Sequence, residues 1–133
     1  REGLRLVLEE GLEVRWARHA RNHQALRAGL EALGLEYIAA ASHRLLQLNA
    51  VKIPAGVDDV GCRKRLLTEF GIEIGGGLGE FKGKAWRIGI MGYNSRPICV
   101  LSVLAALEHV LRGAGVGVTP GSGVAAAEAA YAA

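Results

Sequence analysis

A chain of 133 residues, half of them apolar and 22% charged, has room for one domain and enough material for one core. Sixteen basic against thirteen acidic residues leave a formal charge of +3, too mild and mixed for a surface that works by neutralising phosphates, and 5% aromatic content offers few platforms for stacked bases. Nucleic-acid binding is thereby disfavoured, a multidomain enzyme carrying its own cofactor fold does not fit the length, and no apolar run is long enough to span a membrane.

Residues 3–32 lack proline and place Leu4, Val7, Leu8, Leu12, Trp16, Leu26, Leu30 and Leu33 at helical spacing, which predicts one long amphipathic helix that could bend near Gly11. No cap, turn or initiator Met precedes that pattern, so the chain is expected to be cut from something longer. Arg15, Arg18, His19, Arg21 and Arg27 follow Glu9, Glu10 and Glu13 and read as a solvated face of paired charges. His19 and His23 have the spacing of two metal ligands, but no acidic residue lies between them and Arg18 and Arg21 would repel a cation. They are expected at the surface, without metal.

Gly34 stops the helix, and short strands follow over Leu35–Ala39 and Arg44–Lys52, the second ended by Pro54-Ala55-Gly56. Asp58 is the expected N-cap of a helix through Phe70, with Val60, Leu67 and Phe70 inward and Gly71 as its C-terminal cap. Next come Ile72-Glu73-Ile74, a glycine run, and a strand over Ala85–Met91. Ser95 is a candidate N-cap for a last helix with Pro97 in its first turn, an apolar stripe from Val100 to Leu111, and Gly113 at its end. Residues 1–114 then form one domain, opened by the long helix, and residues 115–133 a Gly/Ala-rich tail expected to be flexible or weakly helical. The element order favours an α+β two-layer sandwich: a small, mostly antiparallel sheet with helices on one face. Cys62 and Cys99, far apart and outside any C-x-x-C, read as reduced thiols of a soluble intracellular protein.

The segment Ala85-Trp86-Arg87-Ile88-Gly89-Ile90-Met91 carries the most chemistry. Alternation sends Trp86, Ile88 and Ile90 to the core and leaves Arg87 on the other face between the two smallest side chains. An arginine so placed has its planar fork free for a carboxylate or phosphate, unless it pairs with a carboxylate such as Glu73 or is simply solvated. The run Gly75-Gly76-Gly77-Leu78-Gly79 follows a strand but precedes another strand, so the dinucleotide and phosphate-loop readings fail on context. It is either a place where backbone passes close to another surface or a plain flexible connection.

Gly71-Ile72-Glu73-Ile74-Gly75-Gly76-Gly77-Leu78-Gly79 followed by Gly83-Lys84-Ala85-Trp86-Arg87-Ile88-Gly89-Ile90-Met91-Gly92 closely resembles the C-terminal domain of alanine–glyoxylate (serine–pyruvate) aminotransferases, class V pyridoxal-phosphate enzymes. Gly11-Leu12-Glu13 with Trp16 and His19, Val51-Lys52-Ile53-Pro54-Ala55-Gly56 and Asn94-Ser95-Arg96 support it, so that the similarity runs from about Leu4 to Gly113. The resemblance implies the small domain of a fold-type I aminotransferase, with Arg87 as the arginine that binds the carboxylate of the amino or 2-oxo acid and the loop Gly75, Gly76, Gly77, Leu78, Gly79 near the cleft. It also implies a pyridoxal 5'-phosphate cofactor held by a large domain, a homodimer, and alanine, serine, glyoxylate or pyruvate as substrates. None of Lys52, Lys64, Lys82 and Lys84 matches the family's Schiff-base lysine, so the chain alone is expected to bind no cofactor and to be inactive. The alternative is a non-enzymatic α+β module that senses an amino or keto acid through Arg87 and the glycine loop. The end Tyr131-Ala132-Ala133 does not read as a peroxisomal address.

Overall fold

The computed structural model describes residues 1–133. Two helices replace the single one expected at the start: α1 (Glu2–Glu10) and α2 (Leu12–Ala32) meet at Gly11, whose φ of 80° lies outside the helical range and interrupts the backbone ladder. Three strands follow in one antiparallel sheet of order β1-β3-β2, where β1 is Leu48–Lys52, β2 is Gly75–Gly76 and β3 is Ala85–Gly89. The strand expected over Leu35–Ala39 shrinks to one bridge between Tyr37 and Val51, because Lys52 and Ile38 exchange backbone bonds with the opposite segment at only two points. Arg44–Gln47 also stays outside the sheet.

Helix α3 (Asp59–Phe70) begins where Asp58 accepts from the Val60 N–H and ends on Gly71 in the left-handed conformation, φ 66°. Its inward face is not the expected one. Cys62 and Leu66, one helical turn apart, are buried, whereas Val60, Leu67 and Phe70 are exposed. Helix α4 (Pro97–Gly113) buries Val100, Val103, Leu104, Leu107, Val110 and Leu111, as its stripe predicts, but its N-cap is Arg96. Ser95 is fully buried and lends its carbonyl to α2 instead.

The tail folds back as a fifth helix. Helix α5 (Ser122–Ala132) lies against α2 at a small-residue crossing: a Cβ on Gly29 would stand 2.8 Å from the Gly123 carbonyl, and one on Gly123 would stand 2.9 Å from Leu33. Ala127 is fully buried there, the Tyr131 hydroxyl donates to Asn22 Oδ1 at 2.6 Å, and Glu108 Oε1 accepts from the Gly121 N–H at 2.8 Å. The segment shows no one-sided apolar face in sequence because it docks through glycine and alanine, by close backbone approach.

One core unites Leu26, Leu30, Leu66, Trp86, Ile88, Leu104 and Leu107, and so joins α2, α3 and α4 to one face of the sheet. The other face is open. Cys62 and Cys99 are unpaired, and no helix is long and apolar enough to cross a membrane.

Candidate functional site

Arg87 stands at the middle of the central strand. On the open face its neighbours across the ladder are Ala50 of β1 and Gly75 of β2, so nothing rises beside it. Trp86, Ile88 and Ile90 are buried beneath it as alternation requires, although Ala85 is buried as well. Arg87 Nε donates to the Gly76 carbonyl at 2.8 Å, and no carboxylate of the chain pairs with the group; Glu73, the partner that strand chemistry allowed, is exposed and unbonded to it. With Nε taken by backbone, the two terminal nitrogens remain, which is the end of the fork that receives a carboxylate through two parallel bonds.

The glycine run is dictated by close approach. A Cβ on Gly75 would stand 3.2 Å from Arg87 Nη2 and one on Gly76 3.4 Å from Arg63 Cζ, while one on Gly77 would collide with the Phe81 backbone carbonyl. Gly77 alone requires a hydrogen side chain, for the turn at Gly79–Phe81, whereas at Gly75 and Gly76 an added Cβ would meet only the ends of long arginine side chains. Leu78, at the tip, is exposed.

Below and beside this strand lies a polar network that the sequence hides. His19 and His23, expected at the surface, are both buried. His19 Nε2 accepts from the Gly92 N–H at 3.2 Å, which leaves the proton on Nδ1 to meet the Arg15 carbonyl at 2.7 Å. Arg18 donates to the carbonyls of Gly92 and Ser95 at 2.9 and 2.8 Å, and Asn22 donates to Ser95 O at 3.0 Å. These residues hold the turn that ends the Arg87 strand. Glu10 bridges Arg18 (2.5 Å) and Arg15 (2.8 Å), and the Arg18 hydrogen bond is the main cause that holds its carboxyl down at about 2. Of the three glutamates expected to pair with the arginines that follow them, only Glu10 does so, and Glu9 pairs with Arg5 instead.

His23 Nδ1 donates to Asn49 Oδ1 at 2.8 Å, and the Tyr37 hydroxyl donates to the same oxygen at 2.9 Å. Burial pushes the His23 pKa down and that of Tyr37 up, so both groups stay neutral donors. A signal for both histidines was present. His19, Asn22, His23, Leu26 and Leu30 share one helical face, so the phase of the apolar stripe carries the polar residues inward with it. Ser42 and His43 meet at 3.0 Å in an exposed turn and gather no third group, and no cluster of His, Cys, Asp or Glu could hold a metal.

The residues present do not fit a cofactor held through a lysine. All four lysines are exposed, and Lys52, on the same sheet face as Arg87, has its Nζ held by Glu36 at 2.7 Å. None lies in the buried apolar setting that Schiff-base lysines use. A cleft of about 390 Å³ lies nearby, between the end of α3, Ile72–Ile74, the end of β3 and the first turns of α4, but Arg87 is not part of its wall. Arg87 itself is half-buried, with its terminal nitrogens bonded to no other group of the chain.

No protein-family model matches the sequence. The chain is 47% identical over 127 residues to the (S)-ureidoglycine–glyoxylate transaminase of Bacillus subtilis, covering 96% of this chain and 30% of that one. The crystal structure of the ureidoglycine–glyoxylate aminotransferase from Bacillus subtilis superposes with a TM-score of 0.95 at 45% identity, over 99% of this chain and 34% of that chain. The alanine–glyoxylate aminotransferase from Nostoc sp. matches with a TM-score of 0.80 at 49% identity, over 82% of this chain and 29% of that chain. The chain thus spans about 30% of the length of the first curated relative.

Proposed function

The chain belongs to the alanine–glyoxylate and serine–pyruvate aminotransferases of class V, as their C-terminal small domain, and from that premise we propose that it supplies the substrate-carboxylate arginine, Arg87, to a cleft whose other wall is a separate, cofactor-holding large domain. The observation that carries this reading is the guanidinium itself: it projects from an open sheet face, is anchored at Nε by Gly76 O, and has no carboxylate partner of its own.

The chemistry follows from that geometry. An amino acid and its 2-oxo acid share one invariant handle, the carboxylate, while the reacting carbon next to it changes. A fork fixed at Nε and offering two terminal N–H groups grips that handle in one plane and so sets where the reacting carbon lies. Exposed, such a pair is worth little; closed off from water by a second wall it becomes strong. The glycine loop leaves room for that wall to approach. Pyridoxal phosphate, held through a lysine of the large domain, would supply the electron sink for the transfer. The chain alone is expected to carry no transamination, and glyoxylate, named in both relatives, is the favoured amino acceptor.

The test uses the transaminase that contains this chain. Replacing Arg87 with Lys, which keeps the charge but not the fork, or with Ala should raise the KM for the 2-oxo acid and lower turnover. The expected fall in kcat/KM is roughly 10- to 100-fold, equivalent to about 1.5–3 kcal/mol for a hydrogen bond to a charged group. Kinetics equal to those of the unaltered enzyme would remove the assignment.

A further inference from the structure

The direction in which Arg87 points depends on a strand that has almost nothing to hold it. Strand β2 is two glycines long, and backbone bonds to β3, with the Gly77 N–H meeting Ala85 O at 2.8 Å just beyond, are its only ladder. Its Gly76 carbonyl is nevertheless what fixes Arg87 Nε.

The rest of the support comes from the opposite face of the sheet. There the Arg63 guanidinium lies against Gly76, its Cζ 3.4 Å from the point where a Cβ would stand, just as Arg87 lies against Gly75. One guanidinium thus lies over each glycine, Arg63 over Gly76 and Arg87 over Gly75. Arg63 is held in turn by both oxygens of Asp59, Nε to Oδ1 at 2.8 Å and Nη2 to Oδ2 at 3.2 Å. Asp59 Oδ1 also accepts from Trp86 Nε1 at 2.9 Å. Trp86 is fully buried, precedes Arg87 on β3 and pairs in register with Gly76. The chain of contacts therefore closes on itself, from Trp86 through Asp59 and Arg63 to Gly76, and from Gly76 O back to Arg87. An Asp–Arg pair four residues apart is commonly a helix-surface feature, but that role needs neither a buried indole on the carboxylate nor a glycine under the guanidinium.

We propose that Asp59 and Arg63 are positioning residues, which hold the Gly76 carbonyl against Arg87 Nε and so aim the free end of the fork at the substrate carboxylate. The inference rests on the reading of Arg87 given above. It is tested in the pyridoxal-phosphate transaminase that contains this chain, by comparing kcat/KM for alanine with kcat/KM for ethylamine, the same amine without the carboxylate. Arg63→Met, which keeps the aliphatic stem, and Asp59→Asn, which keeps an acceptor for Trp86 but not the charge, should each lower the alanine value about three- to tenfold through KM and leave the ethylamine value in place. Arg63→Lys should fall between, and it provides the readout should Arg63→Met fail to fold.

A packing defect alone would lower both amines in proportion, and an unchanged alanine-to-ethylamine ratio in these variants overturns the proposal. Arg87→Ala is the control. A ratio that collapses in Arg87→Ala but not in the Asp59 and Arg63 variants rejects the positioning role alone, whereas a ratio unmoved in Arg87→Ala rejects the carboxylate anchor and this inference with it.

Discussion

Gly75 and Gly77 face two different obstacles, and alanine substitutions should separate them. At Gly77 a methyl group meets the Phe81 backbone carbonyl, which cannot swing aside, so Gly77→Ala should cost about 1–3 kcal/mol in denaturant-induced unfolding. At Gly75 the obstacle is the far end of Arg87, 3.2 Å away. Gly75→Ala should leave stability within about 0.5 kcal/mol and instead raise the KM for the 2-oxo acid, because the guanidinium yields before the backbone does. Equal stability losses at both positions would contradict this distinction. Arg87 was legible in the sequence because strand alternation assigns its face without any knowledge of distant partners. His19 and His23 were misread because their partners, Gly92 and Asn49, lie far along the chain, and the cationic neighbourhood was weighed above the helical phase that places both with Leu26 and Leu30.

At the scale of elements, α2 is tied to β1 by a neutral histidine. Burial holds the His23 pKa below its usual value, with Arg27 and Arg44 also lowering it, against the hydrogen bond that Asn49 Oδ1 accepts and the charge of Glu31, which raise it. Unfolded, the same group titrates near 6.5, so as pH falls below about 6.5 the unfolded chain takes up a proton that the folded chain refuses. Stability should therefore be full above that point and decline as pH drops toward the depressed folded value. His23→Gln should flatten the Tm profile between pH 8 and 5.5, and a slope unchanged from the parent chain would contradict this origin. The Glu10 bridge acts in a separate and lower window: it is present above the usual carboxylate range and lost only as pH falls toward about 2. Helix α5 offers a second test, since desolvation pushes the Tyr131 phenol up to about 12 and keeps it a donor to Asn22. Tyr131→Phe should cost about 1 kcal/mol, seen as a Tm lower by a few degrees. The apolar stripe of α4 announced itself by number of large side chains, whereas α5 docks by the absence of side chains at Gly29 and Gly123, which hydropathy does not register. The inward face of α3 was lost for a related reason, since Cys62 and Leu66 make a stripe only one turn long.

As a whole molecule, the chain has a finished side and an unfinished one. Helices and core close one face of the sheet, while Arg87 and Gly75 of the glycine loop lie half-buried on the other, and Leu4, Leu8 and Trp16 are exposed as well. The α+β class was readable because turn and cap residues punctuate nearly every element. The proposal that Arg87 serves half of a cleft comes from the family resemblance and not from spacing, because a second wall would leave no mark within the segment it covers. The central claim is that Arg87 binds a carboxylate strongly only with that second wall in place. Titrating the 133-residue chain alone with glyoxylate, and following the Arg87 side-chain resonance, tests it most directly. A solvent-screened ion pair predicts no saturation below about 10 mM, in keeping with the ~0–1 kcal/mol of exposed pairs. Saturable binding at submillimolar glyoxylate, abolished by Arg87→Ala, would contradict the composite cleft and identify the chain as a complete acid-sensing module.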